Sequence, residues 1–107
     1  MNIMSVSLIS GAEPGGGPVV EVPVATNIIF NQYWRPAAEE LGLELIRKFP
    51  GGLSVTPEIM PDLVVELGVI ERRFLELNEP WLAGRASTLR QWLVGAIERG
   101  VDDVYVG

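Results

Sequence analysis

The chain holds 107 residues, 14 acidic and 8 basic, for a formal net charge of −6, with no cysteine and no histidine. Its length fits a single domain, residues 1–107, around one core, and 48% hydrophobic against 21% charged residues is the balance of a globular protein rather than a disordered one. The missing residue types exclude disulfides, thiolate nucleophiles, cysteine zinc sites and imidazole acid–base or metal chemistry, and the acidic balance leaves no footprint for nucleic-acid binding.

Residues 3–9 alternate, with Met4, Val6 and Leu8 on one side and Ser5 and Ser7 on the other, the period of a half-buried strand. The run from Gly11 to Pro18 breaks regular structure and predicts a long, mobile hairpin loop before a second extended segment, Val19 to Val24. Pro23 has no amide to donate, which puts that segment at a sheet edge. From Thr26 the period changes. Phe30, Tyr33, Trp34, Ala37, Ala38 and Leu41 fall at helical spacing, with Thr26 or Asn27 to cap the start and Gly42 to end it. Pro36 interrupts the pattern without shifting its phase and predicts one kinked helix. Leu43 to Phe49 reads as a third strand closed by the Pro50-Gly51-Gly52 turn.

A second helix is expected from Pro61 to Leu77, with Met60, Leu63, Val64, Leu67, Ile70, Phe74 and Leu77 as its stripe and Asp62 at its positive end. Asn78-Glu79-Pro80 interrupts. A third helix follows between Trp81 and Arg99, with Leu82, Ala86, Leu89, Leu93, Ala96 and Ile97 inward. Thr88 and Gln91 match a capping box, so its regular part is expected to begin there. Gly100 ends it, and Val101 to Val106 offers a closing strand. The expected architecture is α+β: an antiparallel or mixed sheet of three to four strands covered by three helices, in the order ββαβααβ.

Catalytic patterns are scarce. The Gly15–Gly17 run is followed by Pro18-Val19-Val20 and not by the lysine and helix of a phosphate loop. No serine sits in a nucleophile elbow, and no Ser-x-x-Lys spacing reaches Lys48, the sole lysine. Glu39 and Glu40 diverge on a helix, and Asp102 and Asp103 diverge on a strand, so neither pair brackets a substrate. Arg72-Arg73 reads as a solvated face, with Arg72 and Glu76 as a helical ion pair. These features predict no enzyme and no metal or cofactor.

The aromatic residues carry the binding expectation. Tyr33 and Trp34 are adjacent and cannot share one stripe, and Trp81 follows the Pro80 break. Tyr33, Trp34 and Trp81 are therefore the candidate partner-binding residues, since exposed tyrosine and tryptophan anchor interfaces. The segment Phe30-x-x-Tyr33-Trp34-x-Pro36-Ala37-Ala38-x-x-Leu41-Gly42-Leu43, with the ending Val104-Tyr105-Val106-Gly107, resembles short acidic bacterial proteins of the toxin-immunity type. That resemblance implies a non-enzymatic protein that neutralises a toxin by binding it. An acidic chain steers basic partners toward itself, so a basic protein is the expected partner. The alternative is a small-molecule-binding or assembly subunit with a pocket between the sheet and the first helix. The first residues lack the basic start of a signal peptide, and the longest uncharged run, Val22 to Trp34, holds Pro23, Asn27, Asn31 and Gln32. It falls short of the roughly 20 apolar residues of a membrane span. The expected location is cytoplasmic, away from membranes.

Overall fold

The computed structural model describes residues 5–11 and 20–107. Four strands form one antiparallel sheet: β1 (Ser5–Ser10), β2 (Val20–Thr26), β3 (Leu53–Val55) and β4 (Val104–Val106), side by side in the order β2-β1-β4-β3. The α+β class is as expected, and of the antiparallel and mixed alternatives the sheet is antiparallel, with four strands; four helices rather than three accompany it among the described residues, because a segment expected as a strand is helical. The Gly15–Gly17 loop, Met4 and Val19 lie outside the described residues.

Alternation decides the faces. Val6 and Leu8 are buried, Ser5 is exposed, and Leu8, Val106 and Leu53 stand abreast across three strands. Ser7, expected on the open face, is only 8% exposed, because backbone bonds to Gly107 extend the ladder alongside it at 3.3 and 3.1 Å. On the edge strand β2 the register slips: Val6 pairs with Ala25 and Ser7 with Pro23. Val24 between them is the extra residue of a bulge and is turned into the core at 2% exposure. Pro23 lies on this edge strand, where a missing amide breaks no inner ladder.

The helices cover the sheet face that carries Leu8 and Val106. Helix α1 spans 27–41 and opens with the Thr26 Oγ1 accepting the Ile29 N–H at 3.2 Å. It is not a regular helix kinked only at Pro36. Its α-helical first turn (Asn27–Ile29) widens into a π-helical stretch, Phe30–Trp34, in which the Arg35 N–H reaches back to the Phe30 carbonyl. Regular α-helix resumes at Arg35–Leu41, so Pro36 stands in the first turn of the resumed segment, where a missing amide is tolerated. Gly42, at φ 71°, ends the helix, and the Leu43 N–H closes back on the Ala38 carbonyl at 2.8 Å.

The expected third strand, Leu43 to Phe49, is not a strand. Glu44–Arg47 forms the short helix α2, followed by a 3₁₀ turn at Phe49–Gly51. Leu43, Ile46 and Phe49 are its buried residues, a spacing of three that suits a helical path. Glu66 supports the change, because its carboxylate accepts the N–H groups of Leu45 and Ile46 at 3.2 and 3.0 Å. The third strand comes later, at Leu53–Val55, and the element order is ββααβααβ.

Helices α3 (Met60–Glu76) and α4 (Pro80–Arg99) form an antiparallel hairpin across the tight turn at Asn78, whose φ is 58°. Helix α3 buries Met60, Leu63, Leu67, Ile70 and Phe74; Leu77, expected inward, lies past its end and is exposed. Helix α4 starts at Pro80, its first residue, and runs without a break through Thr88, so no capping box forms there. It buries Leu82, Ala83, Ala86, Leu89, Leu93 and Ala96, while Ile97 faces outward. The core closes on an aromatic group: Phe30 stacks on Trp34 at 6.1 Å and 11°, and Phe74 meets Trp34 edge-on at 5.2 Å. Such pairs contribute about 0.5–1.5 kcal/mol each beyond the area they bury. No helix among the described residues is long and apolar enough to cross a membrane.

Candidate functional site

Where β1 and β2 meet the start of α4, the covering layer does not close fully over the sheet. A groove of about 250 Å³ opens there between Val6, Val24 and Ala25 on the sheet side, Ile29 on the first turn of α1, and Trp81 and Leu82 on α4. The bulge helps to form it, since the extra residue Val24 bends the edge strand beneath the helices. Ser5, Pro23, Thr26 and Arg85 complete the lining. Arg85 is the one charged lining residue among those described, and no carboxylate of the described residues lies within ion-pair distance of it.

Trp81 stands at the rim. It is 49% exposed, yet two contacts hold its ring. Tyr33 meets it edge-on, centroids 5.6 Å apart at 85°, and its Nε1–H donates to the Glu79 carboxylate at 2.6 Å.

The three aromatic candidates therefore separate. Tyr33, half-buried, and Trp81 come together on one surface. Trp34 does not join them, because it is wholly buried between Phe30 and Phe74. Adjacent residues diverge by about 100° on a helix, and the larger, less polar ring takes the inward direction. Arg85 was not apparent from residue type alone. The signal was its spacing, four residues after Trp81, which puts both on one helix face.

A second cleft, about 300 Å³, lies between the end of α1 and α2 and is lined by Arg35, Glu39, Glu44, Arg47 and Lys48. All five are exposed, and the charges are mixed. Arg35 is already engaged, its Nε–H donating to Asn31 at 2.9 Å. Of the Arg72-Arg73 pair, Arg72 is exposed and Arg73 is partly buried. Arg73, rather than Arg72, bonds Glu76 at 3.5 Å, and it also bridges to Glu40 on α1 at 2.9 Å. Glu71 and Arg90 tie α3 to α4 at 3.1 Å. No group of three or more acidic side chains among the described residues converges to hold a metal ion.

Comparison with protein-family models, with curated proteins and with solved structures finds no match for the chain.

Proposed function

We propose that this chain is a small acidic protein-binding protein without catalytic activity, acting in the manner of a toxin-immunity protein by covering a basic partner. The observation that carries the reading is Trp81, half exposed but held by Tyr33 and Glu79. An aromatic side chain already fixed in place loses little conformational freedom on binding, which is the property of an interface anchor. The net charge of −6 supports a basic partner, since opposite charge raises the association rate and does so most at low salt.

The test is affinity capture from the source organism with the native chain, Trp81→Ala and Val65→Asp, each at low and high salt. Val65 is exposed on α3, away from the groove lining. One basic protein retained by the native chain and by Val65→Asp, and lost with Trp81→Ala and at high salt, is expected. The captured protein should also lose its toxic activity when the chain is added in equal amount. Equal recovery by the native chain and Trp81→Ala moves the interface away from this surface.

A second reading, a small-molecule-binding subunit, is supported by one specific observation: a groove with apolar walls and one cation opens between the sheet, the first turn of α1 and the start of α4. Concave sites with few polar groups are the usual form of such pockets.

A further inference from the structure

We infer that the groove between β1, β2, α1 and α4 is a binding site for a compact aromatic monocarboxylate. The inference rests on the small-molecule reading and names the ligand class.

Size sets the first limit. At about 250 Å³ the groove falls just below the roughly 300–1,000 Å³ of pockets that hold drug-sized ligands, so the occupant is a single ring with a short chain. The walls set the second. Val6, Val24, Ala25, Ile29 and Leu82 offer hydrocarbon, and Trp81 adds an aromatic surface whose orientation Tyr33 and Glu79 already hold. A flat ring buries apolar area against the aliphatic side and packs against the indole on the other.

Charge sets the third. The lining described contributes one guanidinium and no carboxylate. Glu79, whose carboxylate accepts the Trp81 Nε1–H at the rim, is not part of the lining, and Arg85 has no ion-pair partner among the described residues. An arginine fork recognises a carboxylate through two parallel N–H donors. Against a chain of net charge −6, an arginine on an apolar groove, without an ion-pair partner among the described residues, selects a ligand of one negative charge; a polyanion would meet more repulsion than one guanidinium offsets. A cationic ligand would find no counter-charge in this lining.

The experiment is an amide NMR titration of the full chain with phenylbutyrate and, separately, with phenylbutyramide, which has the same shape and no charge. Saturable shifts at Val6, Ala25, Ile29 and Arg85 are expected with the acid, at an affinity about tenfold or more above the amide. Arg85→Gln should lower the affinity for the acid to that of the amide and leave the amide unchanged. Glutamine is as good a helix former as arginine at this exposed position, and an otherwise unaltered spectrum certifies the fold. Equal affinity for acid and amide in the native chain overturns the carboxylate assignment and leaves the small-molecule reading standing. If neither probe shifts the groove residues saturably, both fail.

Discussion

Trp34 shows how a single atom can offset good packing. The ring is wholly buried, stacked on Phe30 and met by Phe74, yet its Nε1–H has no acceptor among the described residues. A buried donor left unpaired costs about 1–3 kcal/mol. Trp34→Phe removes that donor but leaves a small void, which costs about 1 kcal/mol at about 24 cal/mol per Å³. The two terms oppose each other, so urea denaturation should find Trp34→Phe within about 1 kcal/mol of the native chain. Trp34→Ala should cost about 3–5 kcal/mol. A loss of that size already at phenylalanine would mean that the indole N–H makes a favourable interaction. Residue type alone could not separate Trp34 from Tyr33. Both are large and aromatic, and only the direction of the helix stripe decides which of two neighbours goes inside.

At the scale of elements, legibility followed length. The long helices α3 and α4 were readable because each repeats its apolar spacing over several turns. The segment 43–49 was misread because Leu43 and Leu45 alternate as in a strand, while Leu43, Ile46 and Phe49 recur every three residues as in a helix. Over seven residues neither period is decisive, and the arbiter was Glu66, twenty residues away in sequence, which bonds the amides of Leu45 and Ile46. Strand β3 was missed because three residues carry too little pattern to register. In α1 Pro36 marks a disturbance but not its form. A π turn just before the proline lets Phe30 and Trp34 stack while the following segment starts afresh.

The same long helices contain glycines that their packing does not require. A Cβ at Gly68 would touch only the Arg90 Cδ, at an ordinary 3.8 Å, and a Cβ at Gly84 would meet nothing within 4 Å. Alanine restricts the unfolded chain and favours helix by about 0.5–1 kcal/mol over glycine. Gly68→Ala and Gly84→Ala should therefore each raise stability by about that amount, and the double variant should show the sum. Thermal or urea unfolding checks it. A destabilised Gly68→Ala would show that α3 and α4 approach more closely than this geometry allows.

For the molecule as a whole, the sheet order ranks its parts. Strands β1 and β4 are each paired on both sides, whereas β2 and β3 are edges. The edge β2 also carries a proline and a bulge, which weaken its ladder and protect it from pairing with other chains. Native-state hydrogen exchange should therefore be slowest at β1 and β4, opening only with global unfolding, and faster at β2 through local opening. Faster exchange at β4 than at β2 would contradict this ranking. The same order was not legible in the sequence, because alternation marks which segments are strands and says nothing about which neighbours they choose. The groove shared this limit. Its lining side chains come from two distant parts of the chain, residues 5–29 and 81–85, and only the fold brings them to one place.

The central position of β4 has a consequence for biosynthesis. Strand β3 joins the sheet only through β4, and β1 has β2 as its sole neighbour until β4 arrives. A nascent chain halted between residues 56 and 103 thus carries two disconnected pieces of sheet among the described strands, with one flank of β1 and both flanks of β3 unsatisfied. Completion of the sheet therefore waits on residues 104–106, and a product truncated before them would present to the cell's proteases and chaperones the open backbone edges that they recognise.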